Sequence, residues 1–112
     1  MNTQSRLFSA ALLSSLALAL IPFTASAADS GEQVVSDVCS SCHTPGLMGA
    51  PKIGDGAAWQ ARIKTAGSVQ ALTEAAEHGK GNMPPRGGES TLSDTEVQSA
   101  LQYMLGKSGV TY

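Results

Sequence analysis

The sequence of 112 residues has little charge, few aromatic residues and only two cysteines. One Trp, two Tyr and two Phe leave little bulky apolar material for a conventional core. No stretch alternates apolar with polar residues, and no hairpin dipeptide separates two apolar runs, which argues against a β-rich fold. The formal net charge of −2 argues against nucleic acid as a partner, because binding phosphate groups needs a basic face.

The N-terminal segment has the layout of a secretory signal peptide. A short polar start with one positive charge precedes an apolar run broken by Ser, and the small-x-small sequence Ala25-Ser26-Ala27 follows. An uncleaved membrane anchor is the alternative, but the apolar run is short for a bilayer span. We predict that residues 1–27 are a cleaved signal peptide. Residues 28–112 then form one mature, mildly acidic domain without stable membrane insertion.

The mature sequence consists of short helical segments joined by loops rich in Gly and Pro, which predicts an all-α fold. The first segment runs into Cys39, the second covers about residues 56–64, the third ends at Gly79 and the fourth at Gly106. Each follows a residue of the type that caps helix N-termini: Ser30, Asp55, Ser68 and Ser93. The fourth carries an apolar stripe at helical spacing: Val97, Ala100, Leu101, Met104 and Leu105.

Both cysteines lie in one pentapeptide, Cys39-Ser40-Ser41-Cys42-His43. Cys-x-x-Cys-His is the signature of covalent haem c attachment, in which the two thiols bond the porphyrin and the adjacent imidazole reaches the iron. One buried haem would also supply the apolar mass that these helices lack. A redox-active dithiol is one alternative, although it needs a βαβ context. A zinc site is the other, and it needs a second pair of nearby ligands.

The second axial ligand of the iron has several candidates, since an electron carrier is expected to have both positions filled. Met104 belongs to the apolar stripe, and Met48 is too close in sequence to His43 to reach the opposite face. Met83 lies in Gly-Asn-Met-Pro-Pro, where prolines fix the backbone and glycines allow a close approach to the ring. We predict Met83 as the ligand, with His78 or an open position as alternatives.

Three further residues are predicted to support the haem. The Pro51 carbonyl is a candidate acceptor for the Nδ1–H of His43, and an ordinary turn proline is the alternative. The indole N–H of Trp59 and the guanidinium of Arg62 lie one turn apart and are candidate donors to the haem propionates. Lys52 and Arg86 are further donors, and a plain core position is the alternative for Trp59.

These residues resemble class I c-type cytochromes, and most of all the cytochrome c5 group. Beyond the attachment motif, residues 49–55 resemble the group's proximal loop, where the proline carbonyl bonds the axial histidine. Residues 57–63 resemble its helix on the propionate side, and residues 81–88 its distal methionine loop. Residues 92–96 resemble the start of its final helix. The resemblance therefore covers nearly the whole mature chain.

The resemblance implies a cytochrome c fold of about four short helices wrapped around one covalently bound haem. It also implies that the first and last helices cross, with Gly31 against the aromatic ring of Tyr103. Glu89 and Leu92 stand where some members of the group carry a second cysteine pair, so no disulfide is expected there.

The sequence thus predicts a periplasmic protein that carries single electrons through a haem c ligated by His43 and Met83, and that is not itself an enzyme. Its expected partners are redox proteins, such as a membrane reductase as donor and a terminal oxidase or reductase as acceptor. A monomer or weak dimer suits short-lived docking. A fixed haem subunit of a larger membrane oxidoreductase is one alternative, and a ligand-binding or sensing haem protein is another.

Overall fold

The computed structural model describes Pro22 and residues 29–112. The predicted signal peptide, apart from Pro22, lies outside the described residues. Four helices form the described part: α1 (residues 31–43), α2 (Gly56–Ala66), α3 (Val69–His78) and α4 (Asp94–Lys107). Two single 3₁₀ turns, Leu47–Gly49 and Pro85–Gly88, and an isolated bridge between Lys80 and Met83 complete it. The all-α prediction is confirmed, since residues 29–112 contain no strand.

Helix α1 changes its winding along its length. It begins as an α-helix at Gly31–Val34, widens to a π-helical segment at Val35–Cys39 and returns to α-helix at Ser40–His43. The hydroxyl of Ser30 accepts a hydrogen bond from the third backbone N–H beyond it, as predicted for the cap. The attachment motif therefore occupies the C-terminal half of one helical run.

The other three helices begin at the predicted capping residues. Asp55, Ser68 and Ser93 each accept a hydrogen bond from a backbone N–H in the first turn. Glu96 completes the capping box by accepting from the Ser93 N–H at 2.8 Å, which holds the pKa of the Glu96 carboxyl below its usual range. The predicted ends are slightly short: α2 continues to Ala66, and α4 continues through Gly106 to Lys107.

The core lies between α1 and α4, with one aromatic side chain added from α2. All five residues of the predicted apolar stripe on α4 are buried. The remaining members of the core come from α1, α2 and the C-terminal tail: Val34, Val35, Trp59 and Val110. Helix α3 buries only Thr73 completely, while Val69 and Leu72 pack partly against this core. Part of the apolar face of α3 therefore remains outside the helix packing. None of the described helices combines the length and the apolar character that crossing a bilayer requires.

Helices α1 and α4 cross at Gly31, as the resemblance implies. A Cβ atom on Gly31 would lie 2.2 Å from the carbonyl oxygen of Ser99, so the closest approach is to the backbone of α4 and not to an aromatic ring. The ring of Tyr103 belongs to the same crossing in another way, because its hydroxyl donates to Glu32 at 2.9 Å. Only a residue without a side chain allows this approach.

We predict that Gly31→Ala destabilises the protein by roughly 1–3 kcal/mol, because the new methyl group must push the two helices apart. For a domain of this size that lowers the melting temperature by roughly 4–8 °C per kcal/mol, measured by thermal unfolding of the haem-loaded protein. Gly106→Ala is the matched control. Gly106 is an exposed position on α4, and a Cβ atom there would have no other atom within 4 Å. That variant should be stabilised by about 0.5–1 kcal/mol, and equal effects at both positions would refute the crossing contact.

Candidate functional site

One cleft gathers all the residues predicted for the site. It holds about 1200 Å³ of unfilled space, part of it open to solvent. Its walls are largely apolar and come from every helix and both long loops. The seven predicted residues all line it: Cys39, Cys42, His43, Pro51, Trp59, Arg62 and Met83. The apolar face that α3 leaves uncovered, at Leu72, Ala75 and Ala76, forms another part of its wall.

The two cysteines of the motif are half-buried free thiols at the edge of this cleft. Burial, and then the neighbouring Cys42, raise the pKa of the Cys39 thiol. A redox-active dithiol needs the opposite shift, because the thiolate is the reactive form. Among residues 29–112 there is also no group of three or more metal-ligating side chains, so the described residues give the zinc alternative no support. Two thiols beside an apolar cleft fit the covalent attachment of a porphyrin instead.

His43 is buried and held in one orientation. Its Nδ1 lies 2.8 Å from the carbonyl oxygen of Pro51, so Nδ1 carries the proton and donates it. Its ring also stacks on Trp59, with centroids 5.3 Å apart and planes inclined by 23°. The contact expected of Pro51 is present, and Nε2 is the nitrogen left to bind a metal.

The loop that carries Pro51 is fixed along its whole length by hydrogen bonds. The Gly49 carbonyl accepts from Arg62 at 2.8 Å, and the backbone N–H of Ile53 donates to the His43 carbonyl at 2.8 Å. At its end, the Gly54 N–H donates to the buried hydroxyl of Ser108, 2.9 Å away at the end of α4. The role of Ser108 could not be predicted from the sequence, because a serine just after a helix looks like an ordinary surface residue. The loop acts as a rigid holder for the imidazole.

Trp59 has a different partner from the one predicted. Its single N–H donates to the Lys52 carbonyl at 2.9 Å, and the side chain is 2% exposed. The indole therefore has no N–H left to donate to a haem propionate. Arg62 remains the expected propionate donor of the two residues predicted. Arg62 is exposed and uses one of its five N–H groups on Gly49.

The four candidates for the second axial ligand differ in their surroundings. Met83 is half-buried on the cleft wall, in a turn closed by two 3.0 Å backbone hydrogen bonds with Lys80. His78 is exposed, does not line the cleft, and donates from Nδ1 to the carbonyl one turn earlier at 2.8 Å. Met104 and Met48 also line the cleft, but Met104 is packed in the core and Met48 is 68% exposed. Met83 is the methionine on the cleft wall that is neither part of the core nor largely exposed, and the geometry favours it for that reason.

The chain is similar to known proteins over most of its length. The family model described as cytochrome c oxidase, cbb3-type, subunit III matches residues 26–104. The chain is 40% identical over 108 residues to cytochrome c-555 of Chlorobaculum tepidum, covering 93% of this chain and 98% of that relative. It is also 40% identical over 79 residues to cytochrome c5 of Azotobacter vinelandii, covering 70% of this chain and 95% of that relative.

Two solved structures share the fold as well as sequence. The first comes from a crystal structure of an electron transfer complex of nitrite reductase with cytochrome c. It has a TM-score of 0.63 and 35% identity, over 73% of this chain and 99% of that one. The second is reduced cytochrome c551 of Ectothiorhodospira halophila, with a TM-score of 0.58 and 33% identity, over 70% of this chain and 99% of that one.

We predict that Trp59→Phe destabilises the haem-loaded protein by about 1 kcal/mol, because one hydrogen bond to Lys52 is lost while the ring stack is kept. Trp59→Ala, which also removes the ring, should cost roughly 3–5 kcal/mol in thermal unfolding. The pH dependence of the reduction potential should stay as in the wild type for Trp59→Phe. A change in that dependence would mean that the indole does bond a propionate.

Proposed function

The chain belongs to the class I c-type cytochromes, within the cytochrome c5 group, and on that premise we propose that it carries single electrons in the periplasm. In this proposal residues 1–27 direct export and are removed. Cys39 and Cys42 hold one haem c by thioether bonds, and His43 and Met83 are the axial ligands of its iron. The observation that carries the proposal is the single apolar cleft on whose walls all four of these side chains lie.

Haem c supplies an iron that alternates between Fe(II) and Fe(III), one electron at a time. The chain's own residues keep the ligand atoms in place during that change. The Pro51 carbonyl fixes the Nδ1–H of His43, which leaves Nε2 as the ligand and raises its basicity. Trp59 packs against the same ring and prevents it from tilting. Ligands that move little between the two oxidation states suit rapid electron transfer.

The proposal makes the protein a carrier and not an enzyme. His43 and Met83 would together hold the iron, which would leave a substrate no place to bind it. Partners are then redox proteins that dock briefly, receive or deliver one electron and separate, which suits a small and weak interface. A neighbouring structure, a cytochrome c in an electron transfer complex with nitrite reductase, supports a reductase as one kind of partner.

A second candidate is a fixed haem subunit of a membrane oxidoreductase. The observation in its favour is the description of the matching family model, which is that of an oxidase subunit. The relatives named cytochrome c-555 and c5 are instead covered over 98% and 95% of their own lengths, so the match extends over whole small cytochromes. We therefore favour the free carrier.

We predict that the haem-bearing chain elutes from gel filtration of a detergent-free periplasmic extract as a monomer or weak dimer. Its N-terminus should begin at Ala28 if residues 1–27 are removed as proposed. Co-elution with a large complex, or retention in the membrane fraction, would contradict the free carrier and favour the subunit.

We predict that Met83→Ala abolishes the near-infrared charge-transfer band of Met-ligated Fe(III) and lowers the reduction potential, because a thioether ligand favours Fe(II). His78→Ala and Met48→Leu, the matched controls, should keep both properties. Loss of the band in His78→Ala or Met48→Leu, with its survival in Met83→Ala, would contradict the ligand assignment. Binding of CO to the reduced wild type would instead favour a sensing role.

A further inference from the structure

Arg86 has a backbone conformation that an arginine rarely adopts. Its φ of 56° and ψ of 29° lie in the left-handed region. Among the non-glycine residues that the structure describes, only Met48 also has a positive φ. A side chain in this region costs about 1–2 kcal/mol, so the surrounding contacts must hold it there. Arg86 stands three residues after Met83, on the same loop.

The guanidinium of Arg86 ties this loop to the start of α4. Nη1 donates to the Leu92 carbonyl at 2.9 Å, and Nη2 donates to the Asp94 carboxylate at 2.5 Å. The Arg86 side chain is 26% exposed, whereas that of Asp94 is 70% exposed. The bond to the Leu92 carbonyl is thus the better shielded of the two, and an exposed ion pair by itself contributes little.

The segment that receives these bonds is itself rigid. Asp94 is the first residue of α4, and the capping box between Ser93 and Glu96 fixes the turn around it. On its other side the loop presses against α1, because a Cβ on Gly87 would lie 3.1 Å from a methyl group of Val38. The loop also packs on the end of α3, since a Cβ on Gly79 would lie 2.9 Å from the Met83 carbonyl oxygen. The loop is therefore held by α1, the end of α3 and α4, and Arg86 is the charged link on the α4 side.

The part of the loop before Arg86 has less side-chain support. Gly79 and Gly81 both have positive φ, and the turn between Lys80 and Met83 is closed by backbone hydrogen bonds alone. The side chain of Asn82 adds a long contact of 3.4 Å to the Met48 carbonyl. Movement of Met83 away from the cleft thus requires the loop to lift as a unit, and Arg86 resists that movement.

From this geometry we propose that Arg86 is a positioning residue that keeps the Met83 loop closed and so slows the release of the thioether from the iron. The inference rests on the proposed function, because it assumes Met83 as the axial ligand. It assigns Arg86 a role in ligand retention in place of the propionate contact that the sequence left open. Its guanidinium acts through its bonds to Leu92 and Asp94.

The test is the rate at which cyanide replaces the axial ligand in the ferric, haem-loaded protein at saturating cyanide, where opening of the loop limits the reaction. Arg86→Gln should raise this rate roughly tenfold or more, the factor that loss of one hydrogen bond to a charged donor corresponds to. Asp94→Asn, which keeps the bond to Leu92, should raise it less. In the Arg86→Gln background, Asp94→Asn should add nothing further.

Val110→Ala is the control for general destabilisation, since it weakens the core at the C-terminal tail and Val110 does not line the cleft. Its limiting rate should match that of the wild type, while that of Arg86→Gln rises. An unchanged rate in Arg86→Gln, or an equal rise in Val110→Ala, would overturn the positioning role while leaving the ligand assignment intact. A wild-type protein that lacks the Met–Fe(III) band would overturn the proposed ligation, and this inference with it.

Discussion

The hydrogen bond from His43 Nδ1 to the Pro51 carbonyl organises one side of the site. It settles which ring nitrogen carries a proton and which remains to bind iron. A bond to a backbone carbonyl is only as rigid as the loop that presents it. That loop is fixed at Gly49 by Arg62, at Lys52 by Trp59 and at Gly54 by Ser108, so α2 and the end of α4 together support one imidazole.

The core between the helices is small because part of the apolar surface lines the cleft instead. Helices α1 and α4 pack closely enough to bury an entire apolar stripe. Helix α3 buries only Thr73 fully and turns Leu72, Ala75 and Ala76 toward unfilled space. A helix with such a face gains stability only when something apolar covers it. Haem c provides that cover, and its covalent attachment to α1 keeps it in place. In this family the cofactor therefore stabilises the fold that binds it.

The sequence predicts what depends on neighbours along the chain. The caps at Asp55, Ser68 and Ser93 are local, since each hydroxyl or carboxylate bonds a backbone N–H in the next turn. The attachment motif is equally local, and its five residues indicate haem without any knowledge of the fold. Contacts with a backbone carbonyl far along the chain leave no such pattern, because every residue has a carbonyl. The close approach of Gly31 to the Ser99 carbonyl was therefore not predicted.

Trp59 shows the same limit within the site. Its burial and its need for an acceptor could be predicted, but the choice between a propionate and the Lys52 carbonyl depends on how the loop folds back on α2. The sequence located the side chain at the cleft and misjudged what its N–H does there. Ser108 was missed for the related reason that its partner, the Gly54 N–H, is distant in sequence.

The two sides of the cleft are built by different means. On the side of His43, several side chains hold a short loop, and loss of one bond leaves the others in place. On the side of Met83, a loop with glycines at positive φ is held to α4 through the charged side chain of Arg86. With His43 and Met83 as the proposed ligands, the side with the weaker construction would open first. Ligand exchange would then begin at Met83, while His43 would stay bound.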